Sequence, residues 1–428
     1  MNVDRGAAMY SLACELFPVP RSLTGAGVRR TLELLREWTP LEVTEVPSGT
    51  AVYDWVVPPE WNVSAAWIAD ESGRRIVDLA ESTLHVVGYS EPVHARLSGS
   101  ELEPHLHSLP DDPEATPYRT SYYERTWGFC LPHARRAEID ADAMYDVVID
   151  SALDGAGSLT YAEAVVPGRS DDEFLVSTYV CHPSLANDNV AGIVVAAALA
   201  NSLAAQELRH TVRVLFAPSG IGTLAWLQQN EPRLSRVHAG LVVACAGDPG
   251  PLNYKRSRRA DALVDRAAAH VLRRRPGAQL RDFVPWGTDE RQFCSPGFDL
   301  PVGTLTRTPN GMYDGYHTSR DDLELLTPEA LADTLDSLIE ILRTVDEAAT
   351  FARTEPHGEP HLSRHGIDGR MTASLLAGAG DGNALFWLLN LADGTRDLLE
   401  IADRAEVPLL ELAPLADALE EKGILRRQ

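Results

Sequence analysis

Apolar positions recur at helix-like intervals over residues 4–37, where Leu12 and Leu16 are followed by Val28, Leu32 and Leu35. From about Leu41 to Phe129 the period shortens to two. The runs LEVTEV, AVYDWVV, AAWIAD and LHVVGY, broken by Pro, Gly and Ser, predict a small all-β unit. After Tyr145 the pattern alternates. Strands are expected at Glu173–Cys181, Thr211–Pro218, Ala239–Cys245 and Pro301–Thr306. Helices are expected over Asn189–Leu208, from Thr223, over Ala260–Arg274, and over Pro328–Ala349 with Thr327 as N-cap. This alternation predicts an α/β fold with a mixed, mostly parallel sheet and helices on both faces. A Pro/His/Gly-rich stretch, Glu355–Gly369, interrupts the pattern. Helical spacing then returns over Asn383–Gln428, as a winged-helix-like module.

A chain of 428 residues is long enough for two or three domains, and 44 % hydrophobic content is enough for globular cores. The longest apolar stretch, Val190–Ala200, is far short of the ~20 residues that a bilayer crossing needs. Thirty-eight basic against 62 acidic residues gives a net charge of −24, which argues against a nucleic-acid partner. The winged-helix-like region is itself acidic, which favours a structural or protein-contact role there. Cys14, Cys130, Cys181, Cys245 and Cys294 are widely spaced and form no CxxC pair. With no leader-like N-terminus, they suggest reduced thiols and a cytoplasmic location.

Ligands of open α/β sheets sit beyond the carboxyl ends of the strands. Four such places carry chemistry: Cys181-His182-Pro183-Ser184 leading to Asn187-Asp188-Asn189, then Pro218-Ser219-Gly220, then Gly247-Asp248, and Tyr316-His317-Thr318-Ser319. Two imidazoles and two carboxylates converge on one sheet edge and suit zinc. Each has a plainer alternative: Asp188 could cap the helix it precedes, and Asp248 could be a turn residue.

The string HPSLANDNVAG resembles the metal-binding turn of the zinc aminopeptidase superfamily, which includes bacterial leucyl aminopeptidases and glutaminyl cyclases. The strings VPSGTAVYDWVVPPEWN, TPYRTSYY, WGFC, CHPSLANDN, GTDERQFCSPGFDLPVG and YHTSRDDL resemble, more closely, a bacterial aminopeptidase-like family of polysaccharide and natural-product biosynthesis. The resemblance implies a zinc aminopeptidase-like domain over 1–40 and 131–354, an inserted β domain over 41–130, a linker over 355–382 and a winged helix over 383–428. It makes His182, Asp188 and His317 the expected zinc ligands, with Asp248 as a further ligand or an orienting group. Tyr316 and Thr318 flank the last histidine. Apart from the resemblance, the aromatics Trp127 and Tyr123, with Trp55, Trp61 and Tyr122, have two readings: core and edge packing of the β unit, or a roof over the cleft that contacts substrate and excludes water.

One position departs from the resemblance. Where relatives carry a glutamate after the second strand, this chain has Ser219. Losing a positioned base costs ~10²–10⁴ in rate. Asp289 and Glu290, in GTDE, are the expected substitutes; the plainer alternative is a salt-bridged turn. Three readings follow: hydrolysis of a small peptide or aminoacyl conjugate, metal binding without hydrolysis as a scaffold or partner protein, and acyl transfer or cyclisation. A homo-oligomer is expected on general grounds only.

Overall fold

The β-branched and apolar run Phe174–Tyr179 alternates its side chains between two cores, the behaviour of a strand buried on both faces. Phe174 and Val176 enter one core, Leu175 and Tyr179 the other. The computed structural model describes residues 2–367 and 384–428. Eight strands form the main sheet: β1 (Glu42–Pro47), β2 (Ser158–Val166), β3 (Ser170–Tyr179), β4 (His210–Ala217), β5 (Val237–Val243), β6 (Asn253–Lys255), β7 (Gln279–Arg281) and β8 (Val302–Thr306). Their order is β1-β2-β4-β3-β5-β8-β6-β7. The central strands β4, β3, β5 and β8 are parallel, so their carboxyl ends share one edge. The outer pairs β1–β2, β2–β4 and β6–β8 are antiparallel.

Helices α1 (Asn2–Leu16), α2 (Ala26–Leu35), α3 (Gly192–Leu203), α5 (Leu263–Leu272) and α6 (Pro328–Glu347) pack on one face, and α4 (Ile221–Asn230) on the other. Thr327 caps α6 by accepting from the Ala330 N–H at 3.1 Å. Among the described residues, no helix is long and apolar enough to cross a membrane.

Beside α4 sits a four-stranded antiparallel sheet in the order Arg75–Asp78, Glu60–Ala69, Met144–Asp154, Val93–Ser98. Strand pairing corrects the expected boundaries 41 and 130. Glu42–Pro47 finds its partner in the main sheet, while Met144–Asp154 supplies the long central strand of the small one. The C-terminal unit also starts earlier than residue 383. Thr350–Arg353 pairs with Asp393–Asp397 and Leu425–Arg427, and α7 (Ala384–Leu391), α8 (Leu398–Ala405) and α9 (Leu409–Glu421) complete a winged-helix arrangement. Of the expected linker 355–382, residues 368–382 lie outside the described residues.

This unit is tied to α5. Arg266 pairs with Asp397, and Arg273 with Asp403 at 3.2 Å. The His270 Nδ1 lies 2.6 Å from Asp403, and its Nε2 accepts from the Leu409 N–H at 2.9 Å.

Candidate metal centre

The carboxyl ends of β3 and β8 bring His182, Asp188 and His317 together. Each offers one ligand atom, and these atoms all lie within 4.8 Å of one another. His317 Nε2 is 2.9 Å from Asp188 Oδ2, yet neither atom completes a hydrogen bond although both are buried. Buried polar atoms are normally partnered, so this orphaned pair beside the second imidazole, His182, fits a bound divalent cation. The nitrogen–nitrogen–oxygen donor set is of the kind zinc takes. Burial pushes the His182 imidazole down to about 4, leaving a neutral ring with a lone pair to offer near pH 7. Burial pushes the Asp188 carboxyl up, but His182, His317 and the Tyr179 hydroxyl outweigh it and hold the group below its usual range.

The surrounding groups fix these ligands. Tyr179 donates its hydroxyl to Asp188 Oδ1 and accepts from Asn310 Nδ2 at 3.0 Å. Asp321, fully buried, accepts from the N–H groups of Asn187 and Asp188 at 2.6 and 3.0 Å and from the Tyr313 hydroxyl at 2.8 Å. Arg21 donates to the His182 carbonyl at 2.8 Å. Arg29 instead pairs with Glu45 and Glu60. Tyr316 stacks on His317, with ring centroids 4.0 Å apart.

Several expected site residues take other roles. Asp248 is not free to ligate. Its Oδ1 accepts from Gly250 N and Thr308 Oγ1, and its Oδ2 from Asn187 Nδ2 and Thr308 N. With both oxygens occupied, it orients Asn187 beside the ligand turn. Thr318 donates to the Gly315 carbonyl at 2.9 Å and shapes its own turn. Trp127 stacks on His105, and Tyr123 donates to the Val56 carbonyl and packs near Trp55. Neither reaches the histidines. From the inserted region it is Tyr118 that meets them, its ring 5.3 Å from His182 and 5.1 Å from His317, alongside Tyr179 and Tyr316 of the main domain. The backbone explains its place: Tyr118 N–H donates to the His317 carbonyl, and Ser319 N–H to the Thr116 carbonyl. Tyr118 and Asp321 both stand in strings that the sequence singles out, but composition gives a side chain no direction.

At the end of β4, Asp289 Oδ1 accepts from the Ser219 hydroxyl at 3.0 Å and from the Gly220 N–H at 2.8 Å, at the start of α4. Its Oδ2 is buried and completes no hydrogen bond among the described residues, while the Thr223 hydroxyl also favours the ionised carboxyl. Burial pushes this carboxyl up to about 6. The Ser219 N–H in turn donates to Cys181 Sγ, 3.5 Å from His182 Nδ1. Glu290 is committed elsewhere, to Lys255 Nζ at 2.5 Å and to the Thr288 N–H and hydroxyl. Of the two acids in GTDE, only Asp289 has an open oxygen.

Residues 10–348 match a family described as a domain of unknown function, DUF4910. The chain belongs to this family. Residues 349–427 match a winged helix-turn-helix family, in agreement with the strand Thr350–Arg353 opening that unit. A relative of this DUF4910 chain from Clostridium acetobutylicum, named as a candidate polysaccharide biosynthesis protein with an aminopeptidase-like domain, is 42 % identical over 99 % of this chain and 97 % of its own. A crystal structure of a candidate peptidase from Clostridium acetobutylicum superposes with a TM-score of 0.93 at 40 % identity, over 100 % of this chain and 97 % of that one. The zinc aminopeptidase BSAP from Bacillus subtilis shares the fold, with a TM-score of 0.56 at 11 % identity, over 79 % of this chain and 94 % of that one. The DUF4910 region thus has an aminopeptidase-like fold with an inserted β-sheet, and a winged helix follows it.

Proposed function

We propose that the chain is a zinc-dependent, aminopeptidase-like amide hydrolase acting on a small peptide or aminoacyl conjugate in polysaccharide or natural-product biosynthesis. His182, Asp188 and His317 would hold the metal. Zinc bound there supplies polarisation of an amide carbonyl and a water of lowered pKa. The observation that carries the reading is Asp289, a buried carboxylate with one open oxygen, anchored to the residue that replaces the expected glutamate. An acid titrating at about 6 is ionised near neutral pH and basic enough to take a proton, the balance a general base needs. Ser219 and the Gly220 N–H hold Asp289 Oδ1, which leaves Oδ2 for that proton. Tyr118 and Tyr316 pack on the histidines and limit solvent access. The net charge of −24 favours a partner other than nucleic acid, and five widely spaced cysteines without a CxxC pair favour a cytoplasmic setting.

Ser219 also favours a second reading, a metal-binding protein that does not hydrolyse. The test is metal content by elemental analysis, together with turnover of leucine p-nitroanilide and a mixture of dipeptides. The proposal expects about one zinc per chain, loss of both metal and turnover in His182→Ala, and metal retained with turnover lost in Asp289→Asn. Full activity in metal-free protein would overturn it. Bound zinc with no turnover of any amide would favour the second reading. Loss of ammonia without uptake of water, seen by mass spectrometry, would mean cyclisation.

A further inference from the structure

The edge strip β7-β6-β8 presents a polar face beside the metal centre. In its register Lys255 lies between Arg281 and Thr304, and Asn253 between Gln279 and Thr306. Residues two apart share a face, so these six side chains form two polar rows across three strands. The intervening Tyr254 and Leu305 are fully buried on the opposite face. The loop after β7 folds over the polar rows and encloses a cavity of about 140 Å³, rimmed by the exposed Trp286 and Met312. Asn310 is the wall toward the metal centre, since the same side chain donates to Tyr179. Gly311, next to it, sits between Trp286 and Tyr316.

The charges in this cavity do not balance. Lys255 is neutralised by Glu290. Arg281 gives its Nε to Asn253 Oδ1 at 2.7 Å and its Nη2 to Gln279 Oε1 at 2.9 Å, both uncharged acceptors. Among the described residues, no carboxylate lies within ion-pair distance of it. Thr304, only 5 % exposed, also lines the cavity, and its hydroxyl has no partner among the described residues. A guanidinium without a counter-charge and a buried hydroxyl without an acceptor ask for the same ligand, an anionic oxygen pair. In a chain of net charge −24, such a site is not a by-product of a basic surface.

We propose that this cavity binds a carboxylate of the substrate, held by Arg281 and Thr304, with an apolar stem against Trp286 and Met312. The substrate class is therefore an amide that also carries a carboxylate on a short apolar stem. The proposal rests on the hydrolase reading only for the direction in which the amide points, toward Asn310.

The test is calorimetric titration with 3-phenylpropionate and its neutral isostere 3-phenylpropanamide. The acid binds wild type at least tenfold more tightly than the amide does. Arg281→Gln weakens acid binding at least tenfold and leaves amide binding unchanged. Thr304→Val weakens the acid several-fold, and Arg281→Lys falls between wild type and Arg281→Gln, which keeps the test valid if Arg281→Gln folds poorly by circular dichroism. Equal binding of acid and amide, no binding of the acid, or acid binding indifferent to all three substitutions (as for a carboxylate captured by the metal centre) overturns the proposal. Binding is read without turnover, so an inactive enzyme that still discriminates acid from amide removes the hydrolase reading and leaves this one standing.

Discussion

Asp289→Asn separates the cost of the buried carboxylate from its use. The folded-state value of about 6, against an ordinary 3.8, is a shift of roughly two units, about 3 kcal/mol of penalty on the ionised form. The sign follows from proton linkage. A carboxyl raised on folding is best tolerated while protonated, so stability is lost as pH rises from about 4 through 6 and then stays level. About half of that loss is already present at pH 5, so wild type should lose about 1.5 kcal/mol relative to Asp289→Asn between pH 5 and pH 8. The asparagine accepts from Ser219 and Gly220 as the carboxylate does. Its buried amide nitrogen puts a donor beside the Thr223 hydroxyl in place of a charged acceptor, at a cost of up to about 1–3 kcal/mol that does not depend on pH and cancels in the comparison. Thermal unfolding of chelator-treated protein, followed by circular dichroism, should show the two melting curves separating by about 2–3 °C across this range. Parallel pH profiles for wild type and Asp289→Asn would refute both the perturbed carboxyl and its candidacy as a base.

Other consequences follow from the same geometry. Ser219→Glu should lower stability and not restore activity, because a second carboxylate would face Asp289 at hydrogen-bond distance; a gain in turnover of leucine p-nitroanilide would contradict this. Asp321→Asn places an amide donor against one of the N–H groups of Asn187 and Asp188, so zinc affinity should fall about 10–100-fold in chelator competition. Tyr118→Ala should speed metal loss, whereas Tyr123→Phe should leave it unchanged; the reverse order would return the roof to the residues first expected. His270→Phe removes two hydrogen bonds that join α5 to Asp403 and Leu409, and amide exchange should rise in α8 and α9 while the main sheet stays protected.

The parts of this molecule legible in the sequence are those where a long-period signal meets a strand end. The parallel strands β3, β4, β5 and β8 announce themselves as apolar runs; His182 and Asp188 follow one such run closely, whereas His317 sits far along the loop after β8. By contrast, β6 and β7 are three residues long and mostly polar, so no periodicity marks them, although they build the cavity around Arg281. Asp248 has the position of a ligand but spends its lone pairs on Thr308, Gly250 and Asn187, a contact set made across β8. Asp321 looks like one more acid in a turn until three donors are seen to converge on it. The aromatics of the inserted unit show the same limit. Pairing of Tyr118 with the His317 backbone, and not aromatic content, decides which ring meets the imidazoles.

The strand Thr350–Arg353 begins three residues after α6 ends at Glu347 and forms the middle of the three-stranded sheet of the winged helix. A single apolar cluster runs from Met9 through Leu338 and Phe351 to Leu425. Removing the chain beyond residue 354 would therefore bare the unpaired strand Thr350–Arg353 and a greasy wall on the aminopeptidase-like half. The C-terminal unit is a keystone and not a passenger.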